Sequence, residues 1–149
     1  MKIIGIIPAR MAASRFPGKP LHNIIDRPML SHVYGRAKLY DKWDHISIAT
    51  CDEEIESFAK KNNFNCIMTS DKHTRALDRV EEAASKITEF ELQDDDIVIN
   101  VQGDEPMMHP EMIAATVTPM LDDINVNGVV LSMPIVDKEE ISNLKGVGT

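Results

Sequence analysis

The sequence predicts an α/β protein built on a doubly wound, mostly parallel sheet. Short apolar runs alternate with amphipathic stretches in the order strand, helix, strand, helix, strand over about the first seventy residues, the rhythm of parallel βαβ units. The later run Ile97-Val98-Ile99-Asn100-Val101 is nearly all β-branched and almost unbroken in apolarity, as expected of a central strand covered on both faces. With 149 residues the chain can bury a core, and residues 1–149 are read as one domain.

Each element has its own local reason. Ile3-Ile4-Gly5-Ile6, closed by Ile7-Pro8, reads as a buried strand. Pro28 can serve as the first residue of a helix in which Met29, Leu30, Val33, Tyr34 and Ala37 recur at helical spacing. Ile46, Ile48 and Ala49 make the next strand, and Asp52 stands as an N-cap before Glu53 and Glu54. Ile55, Phe58 and Ala59 form that helix's buried stripe, and Asn62-Asn63 is a left-handed stop. Phe64 to Met68 is a third strand. Leu77, Val80, Ala84 and Ile87 mark the apolar stripe of another helix. Asp94-Asp95-Asp96 reads as a solvated turn. Pro110 opens a helix with Ile113, Val117, Met120 and Leu121 on its apolar face, and Val129 to Ile135 supplies a last strand.

Composition narrows the function classes. A formal charge of -8 argues against nucleic acid as a partner, because the summed field repels a phosphate backbone. No stretch approaches the roughly 18 apolar residues of a membrane span, and the N-terminal run is too short for a signal segment. Cys51 and Cys66 have no metal spacing and read as reduced, buried thiols, which fits the cytoplasm. The five histidines show no pairing at zinc-ligand spacing.

The one locally cationic stretch follows the first strand. Arg10, Arg15 and Lys19 lie in Pro8-Ala9-Arg10-Met11-Ala12-Ala13-Ser14-Arg15-Phe16-Pro17-Gly18-Lys19-Pro20-Leu21, with no Asp or Glu before Asp26. Loops after such strands are where open α/β sheets bind ligands. Pro17 and Pro20 restrict the backbone while Gly18 permits a positive φ. The combination suits a multiply charged anion such as a triphosphate. It matches neither the P-loop nor the dinucleotide fingerprint, so spacing indicates an anion without saying which.

Ile6 to Leu21 resembles the signature loop of the sugar-acid cytidylyltransferases, and in particular of the 3-deoxy-manno-octulosonate cytidylyltransferase (CMP-KDO synthetase) family. Further matching segments are Arg27-Pro28-Met29 with His32-Val33-Tyr34, Ala49-Thr50 with Asp52-Glu53, and Met68-Thr69-Ser70 with His73. The most specific is Asp96-Ile97-Val98-Ile99-Asn100-Val101-Gln102-Gly103-Asp104-Glu105-Pro106. They run in the family's order over nearly the whole chain. The resemblance implies a Rossmann-like sheet of the nucleotide-diphospho-sugar transferase type. The implied reaction moves CMP from CTP to a 3-deoxy-ulosonic acid with release of pyrophosphate, for lipopolysaccharide biosynthesis.

Such a reaction needs charge neutralised on the attacked and leaving phosphates, for which cations and Mg2+ are the usual means. By resemblance Asp104 is the metal-binding aspartate, Gln102 faces the sugar acid, and base choice falls to Ala9, Arg10 and the segment from Ser70 to Arg79. Arg10, Arg15 and Lys19 are expected at the phosphates, with Lys19 nearest the leaving pyrophosphate, since a compact ammonium can follow charge as it develops. Arg10, Lys19 and Asp104 are thus the expected catalytic groups, and Arg79 serves both nucleotide and acceptor. Gln102 has a second reading, a side chain satisfying a strand end.

The sequence departs from the family in three places. Where the family shows His-x-Ser-Gly-Thr-Asp/Glu-Arg, this chain has His73-Thr74-Arg75-Ala76-Leu77-Asp78-Arg79. Hydroxyl donors and a flexible glycine are gone, which leaves nucleotide choice open and makes Arg75 either a new anion contact or a solvated charge. Ala13 stands where the family commonly has Ser. No second metal-binding aspartate can be located before Thr149, so a C-terminal portion of the family pattern is expected to be lacking. A homodimer is implied for a full-length form. Two alternatives stand beside the first reading: a cytidylyltransferase for another acidic sugar, and a non-catalytic nucleotide-binding module.

Overall fold

The computed structural model describes residues 1–12 and 15–132. Its elements are β1 (Ile3–Pro8), β2 (Asn23–Ile24), β3 (Arg27–Pro28), α1 (Met29–Ala37), β4 (His45–Thr50), α2 (Glu53–Lys61), β5 (Cys66–Met68), α3 (Ala76–Ser85), β6 (Ile97–Asn100) and α4 (Pro110–Asp122), with a short 3-10 turn at Lys19–Leu21. Four strands form one parallel sheet in the order β5-β4-β1-β6, and β2 pairs with β3 in a separate small ladder.

Alternation along β1 sorts the core into two layers. Ile3 and Ile7 join Leu30 and Val33 of α1, Ile55 and Ala59 of α2, and Ile113 and Val117 of α4. Ile4 and Ile6 point the other way, with Ala49, onto Val80 and Ala83 of α3. Helices therefore cover both faces, as the doubly wound reading requires. From β1 the chain steps outward to β4 and β5, then returns past β1 to β6. The reversal puts a topological switch point beside β1, so the carboxyl ends of β1 and β6 are where a ligand site is expected.

Trp43 sets the packing against the middle of β1. Gly5 leaves room for Trp43, whose ring would lie 3.0 Å from a Cβ at that position. Trp43 Nε1 donates to the Ala37 carbonyl at 2.9 Å, which closes the C-terminal end of α1.

Several expectations are corrected. Pro28 precedes α1 as its N-cap and pairs with Asn23 in the β2–β3 ladder. That ladder turns through Ile25, whose backbone is left-handed at φ 60, a conformation that nothing in a β-branched residue announces. Strand β5 begins at Cys66, not Phe64; the stop at Asn63 (φ 56) is as expected. Leu77 is 64% exposed because the register of α3 turns Val80, Ala83 and Ala84 inward instead. Leu121 is likewise exposed.

Among the described residues β6 is the outermost strand, not a central one, and Val98 is 36% exposed. Residues 129–132 form no strand, and 133–135 lie outside the described residues, as do Ala13 and Ser14. Cys51 and Cys66 are free but only partly buried. Burial still pushes the Cys66 thiol up to about 11.

The acid run is solvated only in part. The Asp96 side chain is 1% exposed and accepts from Lys2 N at 2.6 Å and Gln93 N at 2.9 Å, with the chain's amino terminus at 3.7 Å. Burial alone would raise its pKa. These backbone donors and the nearby cations more than offset it and hold the carboxyl below its usual range. Asp96 thus clamps the start of β6 to the start of β1.

Candidate active site

The cationic loop leaves β1 at Pro8 and is held by the backbone. Ala9 N donates to the Ala49 carbonyl of β4 at 2.9 Å, and Gly18 N donates to the Met11 carbonyl at 2.9 Å, closing the loop on itself. Gly18 sits at φ 73, where a side chain would be strained. Lys19 opens the 3-10 turn, and the loop therefore returns to the sheet edge it left.

The segment after β6 approaches from the other side. Val101 N donates to the Ile6 carbonyl at 2.8 Å, extending the pairing with β1 beyond the strand itself. Gly103 then passes so close to β1 that a Cβ there would lie 2.2 Å from the Pro8 carbonyl oxygen. Only glycine permits that approach. Its consequence is that Asp104 reaches the cationic loop: Lys19 Nζ donates to Asp104 Oδ2 at 2.9 Å across 85 positions of sequence. Both groups remain open to solvent, at 36% and 56% side-chain exposure, so the pair is available to a ligand.

At the carboxyl end of β1 lies a cleft of ≈ 130 Å³ walled by Pro8, Ala9 and Arg10 on one side and by His73, Thr74, Arg75, Ala76 and Arg79 on the other. Among the described residues no carboxylate contributes to its wall. Ala9 is 7% exposed, so the cleft meets it largely through backbone, while Arg10 is exposed. Arg79 is 3% exposed, and its guanidinium is committed to the Thr69 hydroxyl and to Cys51 Sγ at 3.5 Å. It stiffens the cleft floor as much as it charges it.

The rim from Ser70 to Arg75 is anchored by Glu82 of α3. That carboxylate accepts from Lys86 Nζ and Ser70 N and pairs with His73 Nε2. The Lys86 hydrogen bond, then those from Ser70 and His73, hold its pKa down at about 2.

The structure thus joins Lys19 with Asp104, and Ala9 and Arg10 with Arg79. Arg15 is exposed on the loop, and Gln102 is exposed at the end of β6. Ser70 is not in the cleft wall; its hydroxyl accepts from Lys72 N at 3.1 Å and shapes the rim turn. Arg75 does line the cleft. Two contributors escaped sequence reasoning: Gly103, and Asp52, whose Oδ2 accepts from Met11 N at 2.8 Å. Gly103 carried a legible signal, a glycine between a strand end and a carboxylate. Asp52 carried a misleading one, since its place before a helix reads as a cap.

The profile of the protein family described as Cytidylyltransferase matches residues 4–149. The chain belongs to the cytidylyltransferase family. Among curated relatives, 3-deoxy-manno-octulosonate cytidylyltransferase of Nitratidesulfovibrio vulgaris is 43% identical over 135 residues, which is 91% of this chain and 52% of that protein. The enzyme of the same name from Syntrophus aciditrophicus is 39% identical over 146 residues, 98% of this chain and 58% of that one. A solved structure of CMP:2-keto-3-deoxy-manno-octonic acid synthetase complexed with CTP matches with a TM-score of 0.76 at 37% identity, over 84% of this chain and 49% of that chain. The chain spans about half the length of the curated relatives it matches. Among the described residues, no helix is long and apolar enough to cross a membrane.

Proposed function

We propose that this chain carries the nucleotide-binding part of a CTP-dependent cytidylyltransferase whose acceptor is a 3-deoxy-ulosonic acid of the KDO type. The observation that supports it most is the Lys19–Asp104 pair, a cation and a carboxylate brought together across 85 positions of sequence. In the reaction an acceptor hydroxyl oxygen bonds to the α-phosphorus of CTP, its proton passing to solvent, and the bond from that phosphorus to the bridging oxygen breaks to release pyrophosphate. Arg10 and Arg15 contact phosphate oxygens, and Lys19 meets the charge that grows on the leaving pyrophosphate. Ala9 and the cleft floor seat the nucleoside, with Ser70 shaping the rim, and Gln102 faces the acceptor; the Arg79 guanidinium, buried and committed to Thr69 and Cys51, braces the floor and does not face the acceptor as the sequence suggests.

The donor set fits magnesium. Asp104, in the turn after β6, offers one exposed, hard oxygen ligand. Magnesium is commonly held by one or two carboxylates together with substrate phosphates and water. When bound there, Mg2+ supplies neutralisation of phosphate charge. Asp104 is the residue that would hold it, with Glu105 in support from the adjacent position.

The family resemblance further supports a cytoplasmic reaction that feeds lipopolysaccharide synthesis, and a homodimer for a full-length form. The test is pyrophosphate release from CTP with a panel of acidic sugars, with and without Mg2+. Release with KDO that requires Mg2+ supports the proposal, and release only with a nonulosonic acid reassigns the acceptor. Measurable CTP binding with no turnover on any sugar replaces the enzyme by a nucleotide-binding module.

A further inference from the structure

We propose that Asp52 is a positioning residue for the cationic loop, holding it through the backbone of Met11. Asp52 occupies the N-cap of α2, yet its side chain caps nothing. The helix start is served by its main chain instead, because Ile55 N and Glu56 N both donate to the Asp52 carbonyl at 3.1 Å. The carboxylate is turned outward, and Oδ2 accepts from Met11 N at 2.8 Å across 41 positions of sequence. A side chain in this position ordinarily stabilises its helix by capping. Here that contribution is given up for a contact outside the helix.

Met11 is the residue on which the loop closes. Its N–H is taken by Asp52 and its carbonyl by Gly18 N at 2.9 Å, so one peptide unit on each side fixes both ends of the segment bearing Arg15 and leading into Lys19. Asp52 is itself fixed from behind. Its own N donates to the Thr50 hydroxyl at 3.1 Å, and Cys51 Sγ, 3.9 Å from Oδ2, receives the Arg79 guanidinium at 3.5 Å. The loop after β4 thereby ties the cationic loop to the cleft floor. A carboxylate is the better acceptor for this task, since charge-assisted hydrogen bonds are roughly twice as strong as neutral ones.

The consequence for nucleotide binding rests on the function proposed above; the consequence for the loop does not. Two measurements on the full 149-residue chain separate them. The first is amide hydrogen exchange at Met11 and Gly18, with Ile55 and Glu56 as internal controls. Asp52→Ala is expected to abolish protection at Met11 and Gly18 while Ile55 and Glu56 keep theirs, because alanine retains the main-chain carbonyl. Asp52→Asn, whose side-chain oxygen can still accept, is expected to restore most of the protection. The second is CTP titration, in which Asp52→Ala weakens binding about tenfold, the scale of one lost hydrogen bond to a charged group, and Asp52→Asn recovers to within about threefold. Unchanged protection at Met11 in Asp52→Ala overturns the inference, as does equal loss of protection in the alanine and asparagine variants. Loss and rescue of protection with no CTP binding by the parent chain leaves the inference standing and overturns the nucleotide reading instead.

Discussion

Replacing Gly103 by alanine tests how the carboxylate reaches the loop. The added Cβ would stand 2.2 Å from the Pro8 carbonyl oxygen and 3.3 Å from the carbonyl carbon. Ordinary contact needs roughly 3.4 Å, so the two backbones must part by about 1 Å, and neither atom belongs to a side chain that could rotate away. Gly103 is not among the residues at positive φ, so alanine brings no backbone penalty, and the effect is purely steric. Overpacking of this kind costs about 1–3 kcal/mol, and we expect Gly103→Ala to lower unfolding free energy by that amount in urea denaturation. The same 1 Å displacement carries Asp104 away from Lys19, and misplacement on this scale can cost about a hundredfold in rate. CTP affinity in the presence of Mg2+ should therefore fall along with stability. Gly103→Ala with parental stability and parental CTP binding would refute the close approach and, with it, the explanation for how Asp104 is placed.

Other glycine and charge changes are expected to behave differently. Gly35, exposed in the middle of α1 with nothing within 4 Å of a Cβ, is the opposite case: Gly35→Ala should stabilise by about 0.5–1 kcal/mol in the same denaturation experiment. Lys19→Glu places two carboxylates face to face at the rim and should weaken CTP and pyrophosphate binding more than tenfold by calorimetry, with the circular dichroism spectrum retained. Glu82 gives a pH signature. Its pKa is held at about 2, below the ordinary value of 4.5, so its contribution to stability is complete above pH 4.5 and is lost as pH falls from there toward 2. Glu82→Gln should reduce stability at pH 7, and the gap to the parent should close on acidification through that window when both are followed by thermal unfolding.

Much of the fold was legible because strand and helix periods are written in apolar spacing. The runs at Ile3–Ile7 and Ile46–Ala49 and the stripes at Leu30, Val33, Ile55 and Ala59 are buried where their patterns place them. Edges and registers were less legible. The run from Ile97 to Val101 is apolar enough for a central strand, yet whether a second neighbour pairs with it depends on contacts remote in sequence. Leu77 fits a helical stripe by spacing, but α3 packs through Val80 and Ala83, and a rotation of one position exposes Leu77. The Asp94–Asp96 run reads as solvated by composition, because charge runs carry no mark of which member turns inward to meet free backbone amides.

The site divides along the same line. Arg10, Lys19 and Asp104 were readable as residue types suited to polyphosphate, and the resemblance named their order. Their meeting was not readable from local pattern: it depends on Gly103 passing under Pro8 and on Asp52 reaching Met11. Both contacts join segments that share no periodicity.

In the proposed function, Asp104 and the cationic loop act together on one metal-bound polyphosphate. CTP titration of the parent chain and of Asp104→Asn, each with and without Mg2+, tests it most directly. Mg2+ should tighten CTP binding to the parent severalfold and leave the affinity of Asp104→Asn unchanged. An equal effect of Mg2+ on both proteins would contradict it.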